Sequence, residues 1–270
     1  MNDKKLIINK YDLYIEPSKD SQTFNGIVEI SLDINKQINK IEFDSVGLII
    51  KNCEYFNILK SKWIEIDFET TNTHLILKQY SEFKKEKNVK FKINFKGKIL
   101  KDLKGLYSSK YIENNQEKVL LSTQFEPTDA RKAFPCIDNP SYKAKFNLSL
   151  VIPKDLNAIS NMPIKEKKEK KNNSVEIIFE ETPIMSTYLL FFAIGEIKSK
   201  EITTKNNILI RVWATNNQED FGEFALETSE KLLDYFESYF GTKYPLPKLD
   251  HIAIPDFAAG AMENWGCISY

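Results

Sequence analysis

Polar and apolar residues alternate along the first half of the chain. Tyr11-Asp-Leu-Tyr-Ile-Glu16, Ile27-Val-Glu-Ile-Ser-Leu-Asp-Ile34, Ile64-Glu-Ile-Asp-Phe68, His74 to Leu77 and Val89-Lys-Phe-Lys-Ile-Asn-Phe95 repeat one pattern between Ile7 and Leu121. Period-two alternation rich in β-branched and aromatic residues predicts half-buried strands. Turn-forming residues at Asn25-Gly26, Asp44 to Gly47, Thr71-Asn72 and Lys101 to Gly105 predict the breaks between them. Phe146 to Ile152, Val175 to Phe179 and Tyr188 to Ile197 extend the strand character. Many short strands in succession predict a mainly β fold that opens with an antiparallel sandwich or saddle-shaped sheet. The charged run from Lys165 to Asn173 reads as a solvated hairpin tip: it carries two Glu and no aromatic residue.

The period changes after Arg211-Val-Trp-Ala214. Phe221, Phe224, Ala225, Thr228, Leu232, Tyr235, Phe236 and Tyr239 recur three or four apart, which predicts an amphipathic helix with these aromatics in the core. Asn216 and Glu219 form an expected capping box, Gly241 the expected C-terminal cap, and Pro245 and Pro247 prevent continuation. Leu249 to Ile254 reads as a further strand. Strand, helix, strand after an all-β region places a domain boundary near Lys198, dividing the chain into 1–197 and 198–270.

Composition narrows the function classes. Lys+Arg 38 balances Asp+Glu 38 in 270 residues, so bulk charge gives no reason to expect nucleic acid or an anionic membrane as partner. No apolar run approaches the length of a membrane span, and the first residues lack a secretory signal pattern, so a cytoplasmic location is expected. The three cysteines, Cys53, Cys136 and Cys267, are widely spaced and suggest neither a disulfide framework nor a metal knuckle.

Two stretches break the regular pattern. Thr123-Gln-Phe-Glu-Pro-Thr-Asp-Ala-Arg-Lys-Ala-Phe-Pro-Cys-Ile-Asp-Asn-Pro140 has neither period and mixes charge, Pro and aromatics. Irregular loops set in regular scaffolds are often functional. Asp129, Arg131 and Asp138 read as a structural corner satisfying one another and nearby backbone; Glu126 fits a structural or a ligand-facing role. The second stretch is Gly260-Ala-Met-Glu-Asn264, in which small residues precede an acid and an amide; it reads either as a strand end with a tight Gly turn and a surface Glu or as a ligand-facing segment. Exposed backbone beside an aimed carboxylate suits a peptide ligand.

Together these stretches resemble the gluzincin zinc aminopeptidases, the aminopeptidase N and puromycin-sensitive type. Gly260-Ala261-Met262-Glu263-Asn264 matches that family's exopeptidase motif, and Gln124-Phe-Glu-Pro-Thr-Asp-Ala-Arg131 with Ala133-Phe-Pro-Cys136 resembles its N-terminal-domain loop. Gly105-Leu-Tyr-Ser-Ser-Lys110 and Pro245-Leu-Pro-Lys-Leu-Asp250 also fit, in the family's order from about Tyr11 to Tyr270. The resemblance implies that 198–270 begins an α+β thermolysin-like catalytic domain. It implies that Glu263, helped by Glu126, binds the free α-ammonium of a peptide substrate, with Gly260 and Ala261 lining the peptide, Met262 bordering the first side-chain pocket and Asn264 completing the motif. Relatives often carry Ala after the Glu126 position with a cis bond between the two; here Pro127 makes a cis bond cheap, about 0.5–1 kcal/mol above trans.

The resemblance also implies Zn2+ in the complete enzyme, held by His-Glu-x-x-His and a further Glu. His74 and His251 are the only histidines and neither begins that motif. The expectation is therefore an N-terminal fragment of a zinc metalloaminopeptidase, inactive alone, with no catalytic or metal-binding residue of its own. The rest of the catalytic domain would be supplied in cis or in trans, and apolar surface would be left exposed on the helix. The alternative is a non-catalytic binder of peptide amino termini, or a scaffold on the same frame.

Overall fold

The computed structural model describes residues 4–18, 20–216 and 222–270. The strands are β1 (Leu6–Pro17), β2 (Thr23–Ile34), β3 (Ile38–Asp44), β4 (Ile49–Asn57), β5 (Lys62–Glu65), β6 (Asp67–Thr70), β7 (His74–Phe83), β8 (Glu86–Lys98), β9 (Gly105–Glu113) and β10 (Gln116–Gln124). They continue with β11 (Lys145–Pro153), β12 (Asn157–Ser160), β13 (Ile164–Lys170), β14 (Ser174–Phe179), β15 (Phe192–Gly195), β16 (Ile197–Thr203), β17 (Leu209–Thr215), β18 (Lys248–Ile252) and β19 (Cys267–Ser269). One α-helix is described, α1 (Glu223–Phe240).

Period two is realised as expected. An eight-stranded sheet runs β13-β14-β11-β1-β2-β8-β4-β5, and a three-stranded sheet runs β3-β7-β6. A four-stranded sheet, β12-β15-β10-β9, lies in the middle of the molecule. Its strands alternate between two cores: Leu121, Phe192 and Ile194 join the large core shared with Tyr11, Val28 and Phe146. Leu120, Phe191 and Ala193 face the other way, onto Ile252, Ile254 and Cys267. Burial on both faces explains why Tyr188 to Ile194 is the longest apolar run in the chain. The last sheet, β16-β17-β18-β19, stacks on that second core, and α1 packs on its outer side through Leu226 against Ile210 and Leu249.

Several details differ from the sequence reading. The eight-stranded sheet is not wholly antiparallel, since β1 and β11 pair in parallel. Asn25-Gly26 is no turn: it lies inside β2, where a Cβ on Gly26 would sit 2.3 Å from the Phe95 ring. The residue is glycine because a ring from β8 crosses the backbone there, and β1 and β2 are joined earlier, where the Ser21 N–H donates to Ser18 O. Most of the Lys165 run is strand β13, exposed throughout, with the turn confined to 171–173. Charge on the outermost strand blunts edge-to-edge pairing, and Lys170 pairs with Glu176 on β14 at 2.8 Å.

The helix keeps its predicted end, with Gly241 in the left-handed region (φ 62°), but its aromatic face is not core. Phe224 is 80% exposed and Tyr239 69%, while the buried contacts come from Leu226 and, partly, Leu233. Glu219 of the expected capping box lies outside the described residues, and Gly222 stands at the N-cap. Among the described residues no helix is long and apolar enough to cross a membrane.

Candidate functional site

The two irregular stretches meet the middle sheet at one end. Strand pairing sets Thr123 of β10 beside Leu106 of β9, and Thr123 is hydrogen-bonded through its hydroxyl to Phe192 of β15, itself the partner of Ser160. The next rank holds Gly105, Gln124, Phe191 and Asn161, the last donor and acceptor in contact through Phe191 N–H to Asn161 Oδ1 at 2.9 Å. Phe125 follows and is 1% exposed, locked among the aromatic rings of the large core. Its carbonyl accepts the Asp129 N–H at 2.8 Å, so residues 125–129 form a tight turn with Glu126 exposed on it. The Glu126–Pro127 bond is cis.

Behind that turn the structural corner is as expected. Arg131 Nε donates to Asp138 Oδ2 at 3.0 Å and its Nη1 lies 3.1 Å from Asp44 Oδ1. The Asp138 N–H donates to Asp44 Oδ2 at 2.9 Å. Burial pushes the Asp138 carboxyl above the usual carboxylate range, with Arg131 pulling the other way. Lys132 and Asp129 pair at 3.0 Å. These groups hold the loop and leave Glu126 out of the network.

The second stretch arrives from β18. Asp256 is bound along the middle of β9: its carboxylate accepts the Lys110 N–H at 3.2 Å, and the Tyr107 hydroxyl donates to its carbonyl at 3.2 Å. The chain then crosses the sheet end in the open through 258–261, all exposed. It is caught again at Met262, whose N–H donates to Ser269 O at 2.8 Å and whose carbonyl accepts the Ser269 N–H at 3.2 Å. Met262 is 2% exposed and Asn264 3% exposed, with Asn264 Nδ2 donating to Ser269 Oγ at 3.2 Å. Glu263 between them is exposed. Two inward-facing neighbours in locally extended backbone leave the intervening side chain only the outward direction.

The sequence-predicted residues thus fall into two groups. Glu126, Gly260, Ala261 and Glu263 are all exposed, and Trp265, two residues after Glu263, is bonded to Asn161 at the end of the middle sheet from which the Glu126 loop leaves. Met262 and Asn264 are buried anchors, and Met262 joins the large core. Among the described residues, neither the Glu126 nor the Glu263 carboxylate takes part in a hydrogen bond or an ion pair. Gly260 stands apart from the other glycines of the chain: its φ is not positive, and a Cβ built on it meets nothing within 4 Å.

Sequence reasoning missed Asn161 and gave Lys248 and Asp250 no role. Lys248 is 2% exposed, and Asp250 is fully buried, with Arg211 bound to it in a bidentate pair at 2.6 and 2.8 Å. The available signal was a lysine and an aspartate two apart on a short apolar strand, a placement that demands partners.

The residues present do not fit a zinc site. Among the described residues no three His, Cys, Asp or Glu side chains converge. His251 has both ring nitrogens engaged, with Ser229 Oγ and the Tyr270 hydroxyl, each at 3.0 Å. His74 Nδ1 is bonded to Thr73 Oγ1 at 2.8 Å, and its other nitrogen lies 3.6 Å from Asp44. No step is assigned to a metal on these residues.

Residues 8–189 match the family profile described as the peptidase M1 N-terminal domain, and residues 224–270 match the peptidase family M1 domain. The chain is 39% identical over 274 residues to Aminopeptidase M1 of Arabidopsis thaliana, covering 99% of this chain and 31% of that protein. It is 43% identical over 202 residues to Aminopeptidase N of Bos taurus (73% of this chain, 21% of the relative). With Aminopeptidase 2, mitochondrial, of Saccharomyces cerevisiae it shares 39% identity over 265 residues (96% and 27%). It therefore spans less than a third of the length of these relatives. Fold, loop motifs and sequence similarity across nearly the whole chain agree: it belongs to the M1 peptidase family.

Proposed function

We propose that this chain carries the amino-terminus recognition site of an aminopeptidase, with Glu126 and Glu263 as paired acceptors for the free α-ammonium of a peptide. The observation that carries the reading is two exposed carboxylates on loops that meet the middle sheet, Glu126 directly after buried Phe125 and Glu263 between buried Met262 and Asn264, neither of them bonded to another group among the described residues. An ammonium brings three donors, which suit two carboxylates converging from separate loops. Acetylation removes the charge and two of those donors, so the same carboxylates discriminate against blocked or internal peptide. The open surface over Gly260 supports the reading, because a ligand backbone can approach there as close as a glycine allows.

On this reading the 1–197 part supplies Glu126 and the 198–270 part supplies Glu263. Substrate selection is assigned to this chain, while the hydrolytic step, and the zinc implied for it, are assigned to none of its residues. Glu263→Gln and Glu126→Gln keep shape and remove charge. Each is expected to weaken binding of a short free-amine peptide by about 1.5–3 kcal/mol, the range for hydrogen bonds to charged groups, as measured by isothermal titration. Unchanged affinity in both variants would refute the assignment.

A further inference from the structure

If Glu263 is to select an ammonium, something must fix the turn that carries it, and the structure assigns that task to Asn161 and Lys248. We propose that these two buried residues are positioning residues for amino-terminus recognition, clamping the 264–266 turn against the middle sheet so that Glu263 faces the Glu126 loop. The proposal rests on the ammonium reading of Glu263.

Asn161 follows β12 and is 1% exposed. Its Nδ2 donates to Leu189 O and to Trp265 O, each at 2.8 Å, while Oδ1 accepts the Phe191 N–H at 2.9 Å. One amide therefore spans from the middle sheet to the residue after Asn264. Lys248 approaches the same turn from β18. Its Nζ donates to Ser160 O at 2.8 Å and to Gly266 O at 2.7 Å, and lies 2.7 Å from Asp250 Oδ2. All three ammonium donors are used, and two of them join the middle sheet to the turn. Gly266 leaves no slack: its φ is +71°, and a Cβ there would lie 2.3 Å from Asn161 O. The Asp250 N–H donates to Gly266 O at 3.0 Å, so that carbonyl is held twice.

The chemistry favours a positioning role over simple adhesion. A buried ammonium is costly to desolvate, and apolar packing commonly stabilises as well or better. What Lys248 provides that an apolar residue cannot is a directional fork onto two backbone carbonyls, Ser160 O of the middle sheet and Gly266 O of the turn. Met262 and Asn264, on either side of Glu263, are anchored to Ser269, and the clamp on Trp265 and Gly266 ties the turn that follows to the middle sheet. Release of the clamp frees the turn to tilt and Glu263 to swing with it.

The test is titration of the protein with a short peptide, free and acetylated at its amino terminus, read as the ratio of the two dissociation constants. Asn161→Asp keeps the acceptor for Phe191 N–H and loses both donors. Gly266→Ala alters no polar group and pushes the turn away from Asn161. In each folded variant, free-peptide affinity is expected to fall on the order of ten- to a hundredfold, the scale of an ångström-sized misplacement. Affinity for the acetylated peptide should stay within about twofold, well inside that scale. Leu13→Ala, a core truncation away from the turn, is expected to lower the melting temperature and preserve the ratio. A merely structural role for Asn161 makes all three variants behave alike, with lowered melting and an intact ratio, and that result overturns the proposal. Should Asn161→Asp not fold, Gly266→Ala decides alone. A wild-type protein with no preference for the free peptide overturns the Glu263 reading itself, an outcome distinct from loss of the clamp.

Discussion

At the scale of single residues, two glycines show how structure and function leave different marks. Gly26 is required by its own chain, because the Phe95 ring occupies the place of a side chain. Among the described residues nothing requires a glycine at 260. Gly26→Ala is therefore expected to destabilise by about 1–3 kcal/mol through overpacking. Gly260→Ala should leave stability unchanged or raise it by up to about 1 kcal/mol, as the unfolded chain loses freedom, yet weaken peptide binding. Urea denaturation and titration on the same two variants separate the effects. Gly26 reads as a turn in the sequence because the ring that requires it comes from another strand, 69 positions along the chain. Asn161 was invisible for a related reason: a buried amide acquires its meaning from the carbonyls around it, and those come from residues 28 and 104 positions away. Glu126, Glu263 and their loops were legible because they interrupt a regular pattern.

At the scale of elements, alternation specified strands well and the helix only in part. Strands such as β2 and β8 bury alternate residues against a core assembled from their neighbours, so pattern and burial coincide. In α1 the aromatic stripe matches a helical period, yet the described chain covers only the face carrying Leu226 and Leu233. Period shows which residues share a face and does not show whether anything packs on it. Leu226→Ala is expected to cost about 2–5 kcal/mol as a core truncation, whereas Tyr239→Ala should fall within about 0.5 kcal/mol, as for an exposed position. Chemical denaturation of both variants checks the contrast. The parallel β1–β11 pairing was likewise unreadable, because period two is the same for either strand direction.

At the scale of the whole molecule, the middle sheet is the organising element. One face completes the large β core and the other carries the second core with β17 to β19. Stability and site share this seam, and His251 links it to pH. Burial holds the His251 imidazole below the ordinary histidine value, with Asp250 opposing. The folded chain then stays neutral where the unfolded chain is protonated. The His251 contribution is complete above the unfolded value of about 6.5 and is lost as pH falls below it toward the folded value. The melting temperature is expected to drop between about pH 7 and pH 5.5, the window just around that value, and His251→Gln should flatten the drop. An equal slope in the variant would assign the effect to other groups.

The decisive measurement is calorimetric titration of the unmodified protein with one short peptide bearing either a free or an acetylated amino terminus. Paired, unsatisfied carboxylates at Glu126 and Glu263 predict that the free peptide binds at least about tenfold tighter, the least expected from losing one charge-assisted hydrogen bond, and that the difference vanishes in the double variant Glu126→Gln, Glu263→Gln. Equal affinities for the two peptides in the wild-type protein would contradict amino-terminus recognition by this chain.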